Sequence, residues 1–341
     1  MKYIAIAIVL LVQSLLSGQP WKENSRPQPA GIIYSSVDGG KTWQDASAGL
    51  PEKLEVLCVY SGNGRILLGH DRGLYRSKHS GSDLKWEAET LVDDRVTNIF
   101  PGRNGWYLTT MANGFSKELP GTGIWRPVHS NLNDRFVRSL VETSDGALLA
   151  GCNTGIFRSL DQGKSWKQVF SEGMVTSFSE GSGALIAGGY RGLLRSTDGG
   201  AHWEWVLTED RSTRKTAFLG GSFYAISDGG SPWKEAMANP DLAANRLRRS
   251  VDGGRTWQRI DESISPIRFI LTKDQGQSPV RMINDIEQLG DSLFCSLDTG
   301  IFRSTDWGKT WKLIFPNRGK KPFQLVVSGQ VIYAVPVFSG C

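Results

Sequence analysis

The chain has 341 residues, with 39 Lys and Arg against 34 Asp and Glu and a formal net charge of +5. Forty glycines, 12 tryptophans and no long amphipathic helical pattern point away from a helical protein and toward an all-β array of short strands and turns. So small a net charge makes any electrostatic function a matter of a local patch, and nucleic acid is not the expected partner.

The N-terminus stands apart. Lys2 precedes the apolar run Tyr3 to Val12 and then Ser14-Leu-Leu-Ser-Gly18, a basic start and an apolar stretch too short to span a bilayer. This predicts a signal peptide over 1–19 and a linker over 20–30. Gln19 stands where a lipoprotein box needs Cys. The mature protein is therefore expected to be secreted or periplasmic, with no integral span after cleavage.

From residue 31 one short phrase recurs. The clear copies begin Ser36-Val-Asp38-Gly-Gly40-Lys-Thr42-Trp43, and the others center on Asp161, Asp198, Asp252 and Asp306, closing on Trp166, Trp203, Trp257 and Trp311. Two decayed copies run from Ser77 to Trp86 and from Ser116 to Trp125. The tryptophans recur about every 40 residues, stretching to about 54 near the end, the spacing of a propeller or solenoid. Before each copy lies a strand-like run such as Gly155-Ile-Phe-Arg-Ser159, and after it another such as Trp166-Lys-Gln-Val-Phe170. Each copy thus reads as a hairpin turn. Its Asp accepts from the turn's own N–H groups, its Gly takes a positive φ, its Ser and Thr hydroxyls tie the strand ends, and its Trp covers the turn. The five aspartates are therefore structural.

A full unit carries four strands, A to D. The first copy has only Gly31 to Ser35 before it, so its unit supplies C and D alone. The last segment, Phe323 to Ser328 and Gln330 to Val335, supplies A and B alone. The predicted fold is a single all-β, seven-bladed propeller of four-stranded antiparallel blades over 31–341, its two chain ends sharing one blade.

Two long insertions lie in the sixth and seventh units, over 228–245 and 265–279. Both belong to links (B–C and D–A) that emerge on the same face. Basic residues gather on that face too. The expected ligand-binding set is Arg72, Tyr190, Arg191, Arg214, Lys215, Arg281, Lys320 and Lys321, with Trp233 and Phe269 from the insertions. Cations beside aromatic faces suit an anionic glycan or an acidic protein partner. No cofactor, metal or catalytic residue is assigned. Cysteines 58, 152, 295 and 341 show no metal-ligand spacing, and Cys58 and Cys341, on adjacent blades, are a candidate disulfide.

The repeat S-x-D-x-G-x-T-W resembles the Asp-box, or bacterial neuraminidase, repeat over about residues 31–338. Sialidases share it, which implies glycoside hydrolysis as one reading. Their early Arg motif is missing from Pro29-Ala-Gly-Ile-Ile-Tyr34, however, and Asp71, Glu235, Asp285 and Asp298 are the only acids placed to serve a hydrolase. The wording G-I-F-R-S-x-D-x-G-K-T-W is similar to the photosystem II assembly and stability factor family, and more distantly to sortilin-type and xyloglucanase propellers. The first of these is a single, exported seven-bladed propeller. That resemblance implies a binding or assembly scaffold, with a sialidase-like or xyloglucanase-like hydrolase as the alternative.

Overall fold

The computed structural model describes residues 31–78, 84–103, 105–112, 114–128, 131, 132, 134, 136–209, 211–228, 246–264, 282–317 and 321–337. From Ile32 onward the chain is one compact unit. Among the described residues it holds seven four-stranded antiparallel sheets and no helix.

Blade one takes β1 (Tyr34–Ser36) and β2 (Gln44–Asp45) from the start of the chain. Blade two is β3 (Val56–Gly62), β4 (Arg65–His70), β5 (Gly73–Ser77) and β6 (Trp86–Glu89). Blade three is β7 (Val96–Gly102), β8 (Gly105–Thr110), β9 (Gly114–Glu118) and β10 (Trp125–Pro127). Blade four is β11 (Val137–Glu142), β12 (Leu148–Cys152), β13 (Gly155–Ser159) and β14 (Lys167–Phe170). Blade five is β15 (Val175–Gly181), β16 (Ala184–Gly189), β17 (Gly192–Ser196) and β18 (Glu204–Thr208). Blade six is β19 (Thr213–Leu219), β20 (Ser222–Ser227), β21 (Arg246–Ser250) and β22 (Gln258–Arg259). Blade seven is β23 (Ile283–Leu289), β24 (Ser292–Leu297), β25 (Gly300–Ser304) and β26 (Lys312–Pro316). Finally β27 (Phe323–Ser328) and β28 (Val331–Pro336) complete blade one, with β28 pairing β1 through Tyr34↔Ala334 and Ser36↔Ile332. The first strands of successive blades touch, and β27 touches β3, so the ring closes.

Local chemistry explains the sheets. Every residue of β16, β20 and β24 is buried, because the second strand of a blade is covered by a neighboring blade on each side. The A–B hairpins turn on residue pairs with positive φ, Asn63 (50°) with Gly64 (73°) and Ser182 (47°) with Gly183 (71°), the primed turns that match strand twist. The glycine opening strand C has a steric reason. A Cβ on Gly155 would lie 1.9 Å from the Phe170 carbonyl oxygen, and on Gly192 2.0 Å from that of Leu207.

In the clear C–D turns the aspartate is the hub. Asp38 Oδ1 accepts from Ser36 Oγ and from the N–H groups of Lys41 and Thr42, while its Oδ2 accepts from Thr42 Oγ1 at 2.7 Å. Ser36 Oγ in turn accepts from Gly40 N at 2.8 Å. The two hydroxyls therefore bind the carboxylate rather than tie one strand end to the other, because the turn folds its own donors inward. The pattern repeats at Asp161, Asp198, Asp252 and Asp306. At Asp198 the imidazole of His202 stands in for the threonine hydroxyl, its Nδ1 2.6 Å from Oδ2. The ring N–H of Trp166, Trp203, Trp257 and Trp311 donates to the carbonyl of the turn glycine.

The arginine before the turn serine ties blades together. Arg158 Nε donates to Gly199 O at 2.9 Å, Arg195 Nε to Gly253 O at 2.8 Å, and Arg303 Nη1 to Gly39 O at 3.2 Å, each reaching the next blade's turn. In blade three the sheet register corrects the sequence alignment. Ser159, Ser196 and Ser250 pair with Leu148, Leu185 and Phe223. The pairing Tyr107↔Lys117 sets Glu118, not Ser116, at that position, seven residues before Trp125.

Candidate ligand-facing surface and channel

Six of the seven inner strands carry a bulge near their start, where one extra residue interrupts pairing with strand B. Those residues are Leu57, Thr97, Arg138, Thr176, Arg214 and Asn284. All of them but Thr97, together with their neighbors, wall a central cavity of about 350 Å³.

The expected cations of blade six lie there but are matched by carboxylates. Lys215 Nζ donates to Asp285 Oδ1, and to Glu287 Oε1 at 3.0 Å. Burial opposes the ammonium charge, but the two carboxylates overrule it and raise its pKa above the ordinary lysine value. Glu287 is pushed up by burial and by the Asp285 charge, against the pull of Lys215. Asp285 also accepts from Ile286 N at 2.8 Å and from Leu325 N at 2.9 Å, so it links blades six, seven and one. Arg214 pairs with Asp228 at 2.9 Å and donates to Ile283 O at 3.2 Å. Lys321 is half-buried, and its carbonyl accepts from Asn317 Nδ2. Trp233, Phe269, Arg281 and Lys320 lie outside the described residues, as do most of the two insertions and Cys341.

The other expected residues lie at B–C turns. Arg72 is exposed and 3.4 Å from Asp71, which also meets His70 at 3.3 Å. Tyr190 is 43% exposed, with the Arg191 guanidinium 6.0 Å from its ring centroid. Its ring rests on the bare backbone of Gly173, where a Cβ would approach to 2.3 Å. Blade four repeats the device. Phe136 is 59% exposed and the Arg138 guanidinium lies 6.0 Å from its ring. Sequence reasoning passed over Phe136; its signal was an aromatic residue set between Arg135 and Arg138 in a D–A link. Neither Arg138 nor Arg191 meets a carboxylate among the described residues.

The acids considered for hydrolysis are committed elsewhere. Asp285 serves Lys215 and two backbone donors, Asp71 serves Arg72 and His70, and Asp298 accepts from Thr299 N at 3.0 Å. Glu235 lies outside the described residues. Burial, with Asp134 nearby, pushes the Cys152 thiol up to about 12, which leaves it unreactive. Among the described residues no group of three His, Cys, Asp or Glu is placed to hold a metal ion.

No family model and no curated protein matches this chain. Solved structures do. A structure of YCF48 bound to D1 peptide is 17% identical with a TM-score of 0.56, covering 84% of this chain and 92% of that one. YCF48 from Cyanidioschyzon merolae is 14% identical with a TM-score of 0.56, covering 84% and 97%. The GH74 xyloglucanase from Xanthomonas campestris is 17% identical with a TM-score of 0.57, covering 80% of this chain but only 46% of that one. At these identities the likeness is one of fold: the chain is a seven-bladed β-propeller of the shape these proteins share.

Proposed function

We propose that this protein is an exported binding scaffold whose loop-bearing face engages an acidic segment of a protein partner. The observation that carries this is the pair of arginine-on-aromatic stations on neighboring blades, Phe136 with Arg138 and Tyr190 with Arg191. A guanidinium stacked on a ring is held in place and weakly hydrated, yet keeps its donors for a carboxylate. Exposed aromatic residues and arginines are also the residue types that concentrate binding energy at protein interfaces. The capture of a peptide by a propeller of this shape, as in the YCF48 structure, supports the same reading. An anionic glycan would meet the same arginines and is the alternative ligand.

The test is fluorescence polarisation with extended peptides graded in Asp and Glu content. Affinity is expected to rise with acidic content and to fall with added salt, since exposed charges are screened over about 10 Å at 0.1 M. Reversing Arg138 and Arg191 to Glu together is expected to abolish binding at unchanged melting temperature. Equal binding of neutral peptides, or unchanged binding by the double variant, overturns the reading. Export is checked by the N-terminus of the mature protein, expected near residue 20.

A further inference from the structure

The blades differ at one rim position of the loop-bearing face, the residue that follows the second strand. In blades two, six and seven the sheet register places an acid there, Asp71, Asp228 and Asp298. In blades three, four and five it places Met111, Asn153 and Tyr190. Blade one has Val337, which is half-buried. The arginines follow that change. Where the acid is present, Arg72 lies 3.4 Å from the Asp71 carboxylate and Arg214 2.9 Å from that of Asp228. In blades three to five, Arg95, Arg138 and Arg191 meet no carboxylate among the described residues.

Arg138 and Arg214 make the contrast sharpest, because both occupy the bulge position of their inner strand. Arg214 Nε faces Asp228 Oδ1 at 2.9 Å, and Arg138 Nε donates to Asn153 Oδ1 at the same distance. An amide thus holds the guanidinium as a carboxylate would, yet leaves its charge uncancelled. Exposed apolar surface appears in the same three blades: Met111 is 72% exposed, Phe136 59% and Tyr190 43%. Met111 N donates to Arg95 O at 3.0 Å, which sets these two residues directly across from each other. Each of three consecutive blades therefore offers an unmatched arginine and an exposed apolar side chain. Carboxylates here are largely turned to the backbone. Asp94 accepts from Arg95 N and Ala112 N, and Asp134 from Phe136 N and Thr154 N, so each fastens its D–A link to the B–C turn. Asp93, exposed in the first of these links, is the exception. Links fastened in this way lose little freedom when a partner docks.

We infer that blades three to five form a track for an extended partner segment whose acidic residues are each accompanied by an apolar one. Packed sheets lie about 10 Å apart, and an extended chain covers that span in about three residues, so the pair recurs about every three residues. The inference rests on the docking face proposed above and adds what the segment must carry besides charge.

The experiment titrates the full chain into labelled peptides of equal length. One repeats Asp-Leu-Ser, one repeats Asp-Ser-Ser, one repeats Asn-Leu-Ser, and one has the composition of the first with its Asp, Ser and Leu residues in three separate blocks. The Asp-Leu-Ser repeat is expected to bind at least tenfold tighter than each of the others. Asn153→Asp supplies Arg138 with the carboxylate that Arg214 already has. It is expected to weaken the Asp-Leu-Ser repeat at least tenfold while the melting temperature holds or rises. Met111→Ser is expected to weaken that repeat severalfold and to leave the Asp-Ser-Ser repeat unchanged. Equal binding of the Asp-Leu-Ser and Asp-Ser-Ser repeats, or of the repeat and its blocked version, overturns the track and leaves the acidic docking face standing. Parent-like binding of the Asp-Leu-Ser repeat by Asn153→Asp also overturns the track. Equal binding of the Asn-Leu-Ser repeat, or binding of none of the peptides, overturns both proposals.

Discussion

Blade five and blade three flank blade four and close the same hairpin with different chemistry. In blade five, Asp198 gathers Ser196, His202 and two backbone N–H groups within one short turn. In blade three, Glu118 stands where the serine belongs. It accepts from Gly123 N at 3.2 Å and from both terminal nitrogens of Arg65, at 3.0 and 2.7 Å, across the interface with blade two. The hub is local, exposed and complete as soon as its own hairpin forms. The ion pair joins residues 53 apart in sequence, and its carboxylate is 1% exposed. A repeat can therefore lose its hub if a charge finds a partner on the next blade, but failure then costs far more.

The largest expected effect follows from that burial. Arg65→Met strands the Glu118 carboxylate in the interface and is expected to destabilise the protein by about 3–5 kcal/mol in chemical denaturation. The double change Arg65→Met with Glu118→Leu is expected to recover most of the loss, because two apolar side chains need no partner. A loss below about 1 kcal/mol for Arg65→Met would make the pair equivalent to a surface salt bridge and erase the contrast between the blades.

A smaller effect is expected from the tie between blades five and six. Arg195 is 9% exposed and supplies Gly253 O with a donor at 2.8 Å. Arg195→Met removes that donor and is expected to cost about 1–3 kcal/mol, the range for leaving a buried polar group unmatched. An unchanged denaturation midpoint would show that core packing alone holds neighboring blades together.

These features differ in how far they could be read from the chain. Seven blades, a shared terminal blade and turns built on Asp38, Asp161, Asp198, Asp252 and Asp306 all follow from short-range periodicity, which a sequence displays directly. The arginine ties were also visible, as the R of G-I-F-R-S, but their acceptor lies on the following blade and has no sequence mark. Glu118 could have been found by counting seven residues back from Trp125; matching serine to Ser116 hid it. Lys215 illustrates the limit. Its partners Asp285 and Glu287 are 70 and 72 residues away, so a lysine in a basic stretch gave no hint of being neutralised. The bulges that turn Arg138 and Arg214 toward the channel are equally silent, since an extra residue in one strand shows only once its partner strand is known.

Acid tests the hubs directly. Hydrogen bonds from Thr42, Ser165 and Thr310, hydroxyl and backbone alike, hold the hub carboxyls of Asp38, Asp161 and Asp306 near 2 instead of 3.8. Because the folded pKa is depressed, the stability they give is fully present above the ordinary value and is lost as pH falls through about 2. The melting temperature of Asp306→Asn is expected to lie below that of the parent at pH 7 and to fall less between about pH 4 and 2. Parallel curves for the two proteins would mean that the Asp306 hub does not contribute to acid sensitivity.

The smallest effect tests the backbone of the hubs. The residue after the aspartate is left-handed in every clear copy, with φ of 70° at Gly39, 67° at Gly199 and 72° at Gly253. Gln162 and Trp307 adopt the same conformation at 63° and 59° although each has a Cβ. Relief of that strain makes Gln162→Gly stabilising by about 0.5 kcal/mol, less than the full left-handed penalty because glycine also loosens the unfolded chain. It gives up one exposed contact, from Lys117 Nζ to Gln162 Oε1 at 3.0 Å. Trp307→Gly relieves the same strain but is expected to destabilise. The Trp307 ring lies against Gly220 of blade six and packs on the apolar cluster around Tyr224 and Leu293, and that lost burial exceeds the backbone gain. Opposite signs for the two substitutions, measured in the same denaturant series, would show that blade seven exchanged backbone comfort for contact with its neighbor. If both stabilise, the tryptophan ring contributes nothing to the interface, and the left-handed backbone alone sets the cost at this position.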